Sequence, residues 1–395
     1  MRTSKWLALL LALLMLPFLS AQADTRPDSG AVLMVRCGGS FVYAIDSRGQ
    51  IWGWGDNSKG QLAYPQRGLI RKPQLVAQSL NGLDIADIQC GNENTLFLMK
   101  DGTVYACGAN GHAQLGIKGF RENSTEPLLI PTLSDIVQID SGFGQSLALD
   151  ASGRVWAWGY NNFGQVGTGD RTTMQEPVDI GLTHVVQIGC GGKYSMALTA
   201  SGAVYAWGEN DYGQVMAGRA GYQATPTQID LSGHRIKQIA TGGDVAFLID
   251  DEDHVWAWGR NDFFQCGNDT IGKGTAVPVR VMIPDEERIV RVIAYSSHTM
   301  ALTDTGRLWF WGASDMGERG DGTHPTKSLP IISVDSGVAD ATVGSLCCAL
   351  LLEDGTVQCT GFNKYGQLGI GTRTLYSWIS NGLNLRSGVY VDPTK

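Results

Sequence analysis

Gly153-Arg-Val-Trp-Ala-Trp-Gly-Tyr-Asn-Asn-Phe-Gly-Gln-Val-Gly167 decides the fold, because close copies of it recur along the whole chain. Gly202-Ala-Val-Tyr-Ala-Trp-Gly-Glu-Asn-Asp-Tyr-Gly-Gln-Val215 is one, and Asp253-His-Val-Trp-Ala-Trp-Gly-Arg-Asn-Asp-Phe-Phe-Gln-Cys-Gly267 is another. Others begin at Gly49, Gly102, Gly306 and Gly355. The residue before the landmark glycine is Trp54, Cys107, Trp158, Trp207, Trp258, Trp311 and Thr360, at spacings of 53, 51, 49, 51, 53 and 49 residues. A period this steady is the mark of a repeat architecture.

The copy around Ile136 to Gly167 shows the internal plan. Ile136-Val-Gln-Ile-Asp140 reads as a first strand, the Gly142–Gly144 region as a turn and Ser146-Leu-Ala-Leu149 as a second strand. Ala151-Ser-Gly153 turns the chain back into Val155-Trp-Ala-Trp158, and a loop leads to a variable fourth segment containing Glu176-Pro-Val178. Four short antiparallel strands cannot bury both faces alone. Seven such sheets packed radially bury each other, so the chain is expected to be all-β, a seven-bladed β-propeller of four-stranded antiparallel blades. Tryptophans two apart, such as Trp156 and Trp158, share one strand face and are expected between the sheets. Ala31 to Val35 reads as a first strand without an outer segment before it. The tail from Leu375 to Asp392 is expected to supply that missing outer strand, so that both chain ends share a blade and close the ring.

The recurring motif Trp-Gly-x-Asn-x-x-Gly-Gln-Leu/Val-Gly appears again as Trp54-Gly55-Asp-Asn57-Ser-Lys-Gly60-Gln61-Leu62 and Thr360-Gly361-Phe-Asn363-Lys-Tyr-Gly366-Gln367-Leu368-Gly369. In this the chain resembles the regulator of chromosome condensation repeat family, from residue 31 to about 390. The resemblance implies a seven-bladed propeller, in agreement with the count of repeats. The founding nuclear member is a nucleotide-exchange factor for a small GTPase and binds chromatin. This chain departs from it in its export signal, its acidic charge and the lack of room for a large insertion between blades. An exported, bacterial-type member is therefore expected.

Residues 1–23 carry that signal. Arg2 and Lys5 precede an apolar run from Leu7 to Leu19, and Ala21-Gln22-Ala23 is a small-x-small cleavage site. Thirteen apolar residues fall short of the roughly 20 needed to span a bilayer. Residues 24–395 are then the mature propeller, periplasmic or secreted, a monomer without membrane insertion. Losing Arg2 and Lys5 takes the formal net charge from −8 to −10. An acidic surface repels phosphate, so nucleic acid is not an expected partner. The cysteines (Cys37, Cys90, Cys107, Cys190, Cys266, Cys347, Cys348 and Cys359) form no C-x-x-C pair. They read mainly as small buried hydrophobes, with one or two bridges open to an exported chain.

Catalytic signatures are missing. There is no Gly-x-Ser-x-Gly elbow, no His-Glu-x-x-His and no phosphate-binding loop, and the six histidines are scattered without ligand spacing. No enzyme activity, metal or cofactor is expected. The acidic run Asp250-Asp-Glu-Asp253 is read as a charged turn in preference to a calcium site.

Binding is expected on the face where first-to-second turns and third-to-fourth loops emerge together. The fixed glycines and asparagines shape the backbone there, and the variable positions carry recognition. The partner-binding candidates are Tyr160, Glu209, Arg260 and Phe362 from the loops, with Phe143, Lys193, Tyr194, Asp244 and His298 from the turns. The function expected is engagement of a protein partner by this face. A carbohydrate-binding or hydrolytic propeller using the central funnel is the second reading. A nucleotide-exchange factor for a small GTPase is the third.

Overall fold

The computed structural model describes residues 31–215, 221–231, 233–323, 326–372, 374–384 and 389–391. The expected leader, 1–23, lies outside the described residues. Among them the only helical turn is a 3-10 segment, Gln78–Leu80, and all other regular structure is strand. Seven antiparallel sheets follow one another in sequence order, each built from consecutive strands. We number these blades 1 to 7, at residues 32–75, 85–129, 136–179, 185–228, 236–280, 289–334 and 338–391.

Blade 3 shows how residues make the unit. Its strands are Ile136–Ser141, Gln145–Asp150, Val155–Gly159 and Met174–Asp179. Six buried residues, Gln-Ser-Leu-Ala-Leu-Asp, form the second strand, which is covered on both faces by neighbouring blades. That is why it reads as a continuous apolar run instead of an alternation. The outermost strand alternates between exposed and covered positions because only one side meets protein.

A buried aspartate ends the second strand. Asp150 Oδ1 accepts from the N–H groups of Ser152 and Arg154, and its Oδ2 accepts from Trp156 Nε1 at 3.2 Å. Asp250 repeats the arrangement with Glu252, His254 and Trp256. The first carboxylate of the acidic run is thus committed to its own turn.

The tryptophan before the landmark glycine joins its blade to the preceding one. Trp158 Nε1 donates to the Gln114 carbonyl at 2.9 Å, Trp207 to Gln165 at 2.9 Å, Trp258 to Gln214 at 2.9 Å and Trp311 to Gln265 at 2.7 Å. Trp54 of blade 1 makes the same bond to Gln367 of blade 7 at 3.0 Å. All five indoles are fully buried. Near the axis, the first strands would present bare edges, and glutamines blunt them. Gln138 pairs with both the N–H and the carbonyl of Ile188 at 3.0 Å, and Gln187 does the same to Ile239 at 2.8 Å.

Among the described residues the chain ends do not share a sheet, contrary to the expectation from sequence. Blade 1 has four strands of its own, and Tyr376–Asn384 pairs with Val357–Phe362 as the fourth strand of blade 7, with Val389–Val391 beyond it. The outer strand follows the landmark glycine within the same blade, so blade 1 lacks nothing. Blade 1 meets blade 7 side to side, where Val35, Cys37, Cys347 and Ala349 share one core.

Replacing Trp258 by alanine removes a fully buried indole and its bond to Gln214, and is expected to destabilise the fold by about 3–5 kcal/mol. Trp258→Phe keeps most of the ring but strands the carbonyl, for a loss of about 1–3 kcal/mol. Urea unfolding followed by far-UV circular dichroism separates the two.

Candidate binding face

Turns and loops do emerge at one end, and a repeated backbone bond welds them together. The residue after each landmark glycine donates its N–H to the carbonyl just before the second strand. The pairs are Asp56 to Ser40, Ala109 to Glu93, Tyr160 to Gly144, Glu209 to Lys193, Arg260 to Asp244, Ala313 to Ser297 and Phe362 to Leu346, all at 2.8–2.9 Å. A side chain at Gly159 would put its Cβ 2.3 Å from the Gly144 carbonyl, in a backbone with φ of +93°. Glycine is therefore required at that position.

The loop itself is held by the motif's polar residues. Asn161 Oδ1 accepts from the Val166 N–H at 2.8 Å, and Gln165 Oε1 accepts from the Phe163 N–H at 2.9 Å. Equivalent bonds hold Asn57, Asn110, Asn210, Asn261 and Asn363. These asparagines act through their amides, since none of them has a positive φ. With the frame fixed this way, the variable residues between Asn and Gln are presented in a constant geometry.

A continuous belt of aromatic and charged side chains crosses blades 2 to 5. His112 of blade 2 lies 4.6 Å from the Tyr160 ring of blade 3. Lys193 Nζ of blade 4 sits 4.8 Å from the Phe163 ring of blade 3 and 3.3 Å from Glu209. Arg260 of blade 5 stands over Tyr212 of blade 4 at 5.3 Å and over Phe263 at 5.5 Å. Each cation thus leans on the aromatic of the blade before it, a favourable contact when partly desolvated. Arg260 also pairs with Asp262 at 2.8 Å and Asp244 at 3.5 Å. Burial raises the carboxyls of Asp244 and Glu209 above the usual range, against the pull of Arg260 and Lys193 respectively.

The axis is bridged at this end. Tyr295, in the inner turn of blade 6, donates its hydroxyl to Asn92 Oδ1 of blade 2 at 3.2 Å, and its ring lies 5.6 Å from Phe143 of blade 3.

Of the residues expected from sequence, Phe143, Tyr160, Lys193, Asp244 and Arg260 are brought onto one partly exposed surface. Phe362 is half-buried in blade 7 beside Tyr365, outside that belt. Glu209 is nearly covered and serves Lys193. Two expectations are corrected. Tyr194 is fully buried, with its hydroxyl donating to the Val245 carbonyl of blade 5. His298 is 1% exposed, stacked on Phe310, with neither ring nitrogen hydrogen-bonded among the described residues. Both open a second strand, where the side chain turns sideways toward the next blade, away from solvent. The sequence reading missed His112, Phe163, Tyr212, Phe263 and Tyr295. Its available signal was the aromatic or histidine that recurs two residues before the motif's glutamine in blades 2 to 5.

The RCC1-like domain model matches residues 15–282. The human E3 ubiquitin-protein ligase HERC2 is 34% identical over 349 residues, which are 84% of this chain and only 7% of the ligase. The Ultraviolet-B receptor UVR8 of Arabidopsis thaliana is 29% identical over 316 residues, 77% of this chain and 70% of the receptor. Among solved structures, Prp20p from Saccharomyces cerevisiae superposes with a TM-score of 0.77 at 21% identity, covering 91% of this chain and 88% of the yeast chain. Human WBSCR16 gives a TM-score of 0.71 at 23% identity, covering 80% and 85%. These likenesses of structure speak to the fold.

Burial pushes the His298 imidazole down to about 4 from its usual 6.5. The unfolded chain takes up a proton below about pH 6.5 while the folded one stays neutral to about pH 4, so acid favours unfolding. His298→Phe, the residue blade 1 places at the same position as Phe41, should abolish this term. The wild type is expected to lose about 3 kcal/mol more than the variant between pH 6.5 and 4, measured by urea titration at each pH.

Proposed function

Because the chain belongs to the RCC1-like domain family, we propose that it is an exported protein-binding module that grips a partner with the loop face of blades 2 to 5. The observation that carries this reading is the belt from His112 through Tyr160, Phe163, Lys193 and Tyr212 to Arg260 and Phe263. Tyrosine and arginine are the side chains that most often anchor interfaces, and here a rigid backbone holds them in place. Preorganisation of this kind lowers the entropy lost on binding. The belt also mixes both charge signs, with Asp244, Glu209 and Asp262 beside Lys193 and Arg260, which suits a protein surface better than a phosphate backbone.

The leader-like residues 1–23 support a site of action in the periplasm or outside the cell. Yeast Prp20p has binding properties to Gsp1p and histones. For the present chain, that supports a propeller face used for protein contact. The bridged axis favours the rim loops over the funnel as the working surface.

Affinity capture from envelope extracts tests the proposal, with the mature chain as bait at micromolar concentration. A specific protein is expected to be retained, and Arg260→Ala is expected to weaken its binding at least tenfold. Arg288→Ala, at the opposite end of the blades, should leave it unchanged. Retention of nothing, or sensitivity at Arg288 in place of Arg260, would overturn the reading. Full-length product in the cytoplasmic fraction would overturn export.

A further inference from the structure

Six of the seven blade-to-blade interfaces are spanned by the chain, which leaves the outer strand of one blade and enters the inner strand of the next. The seam between blade 7 and blade 1 has no such covalent link. Arg36 Nη1 lies 2.8 Å from Asp340 there, the Cys37 N–H donates to Thr342 Oγ1 at 3.0 Å, and the Ser345 N–H donates to the Gly39 carbonyl at 3.0 Å. All of these are non-covalent.

In blades 2 to 4 the residue that opens the second strand reaches the following blade. Asn94 Nδ2 of blade 2 donates to Ser141 Oγ of blade 3 at 3.0 Å, and Gln145 Nε2 of blade 3 donates to the Gly191 carbonyl of blade 4 at 2.9 Å. Blade 7 places Cys347 at this position, opposite Gly361 as Asn94 is opposite Gly108. Blade 1 places Cys37 where blade 3 has Ser141, since each pairs one residue inside the start of its second strand. Where blades 2 and 3 are joined by an amide and a hydroxyl, the seam therefore brings two thiols together. Cys37 and Cys347 are both free thiols buried in the same core, and Cys347 is among the neighbours that hold the Cys37 thiol up. Cys348 belongs to a different core, with Leu350 on the other side of the strand.

We propose that Cys37 and Cys347 form a disulfide that staples the first blade to the last when the chain folds in an oxidising compartment. One thiolate attacks a small disulfide oxidant of the glutathione class and releases one thiolate from it. The second cysteine then attacks the mixed disulfide, releasing the other. Two protons leave the protein, one S–S bond forms, and the oxidant is reduced to two thiols. Burial pushes the Cys37 thiol well above its ordinary range, so the exchange belongs to the stage before the seam is dry. The bond falls at the one interface the backbone does not span, and it closes nearly the whole chain into a loop. A long loop is where a cross-link restricts the unfolded state most.

The mature chain is refolded with a mixture of reduced and oxidised glutathione, after which free thiols are counted in denaturant and the peptides mapped. Six free thiols and one linked pair, Cys37 with Cys347, are expected from the eight cysteines. Cys37→Ser and Cys347→Ser should each leave seven free thiols, and Cys348→Ser five. The oxidised protein should melt roughly 5 °C or more above its reduced form, and Cys37→Ser should lose that difference. Eight free thiols after oxidative refolding, or a cystine joining another pair, would overturn the proposal. The peptide map of the unsubstituted chain decides this even if a variant fails to fold.

Discussion

An indole N–H that leaves water needs an acceptor, and in this protein that need ties five of the seven blades to the preceding one. Five tryptophans drive their rings between sheets and donate to the carbonyl of a glutamine in the preceding blade. The same glutamine uses its side chain to hold its own loop, as Gln165 does for Phe163. One residue therefore fastens both the neighbouring blade and the exposed loop. Burying a large aromatic supplies the driving force, and the single polar bond satisfies the indole N–H where water is excluded. Blade 2 has Cys107 in place of tryptophan, with its sulfur 3.7 Å from the Gln61 carbonyl, and blade 7 has Thr360 donating to the Gly317 carbonyl. Where the ring is lost, blade 2 keeps the glutamine carbonyl as acceptor and blade 7 uses the carbonyl one residue before Glu318.

Function sits on what this frame leaves free. The side-chain oxygens of the motif's Asn and Gln accept N–H groups of their own loop, so the variable positions beside and between them need only be compatible with the turn. In blades 3 to 5 these positions hold Tyr160, Phe163, Tyr212, Arg260 and Phe263, large side chains that meet within a loop and, as Arg260 over Tyr212, across a blade boundary. Blade 6 departs from the pattern. Ser314 and Glu318 replace Asn and Gln, and Glu318 still accepts the Met316 N–H. Here burial raises the Glu318 carboxyl to about 7, because a charge is costly where the other blades use a neutral amide. Tyr295 of the same blade spans the axis, which concentrates the accessible surface on the rim.

Sequence alone determined the number of blades, the four-strand plan, the buried tryptophans and the end of the molecule where variable residues gather. All of these follow from periodicity and turn chemistry, which are local and repeat seven times. The strand order within a blade was legible from the Ile136–Gly167 copy, but the blade that the tail joins was not, and only the pairing of Tyr376–Asn384 with Val357–Phe362 shows that the last segment completes blade 7. Nor could sequence tell which turn residues face solvent. Tyr194 and His298 stand beside Lys193 and Ser297 in the chain, yet successive side chains leave a strand in opposite directions, and one of those directions is the next blade. Belts and seams such as Lys193 over Phe163, or Cys37 against Cys347, join residues far apart in the chain, and distance along a sequence carries no record of a contact made only when the ring is assembled.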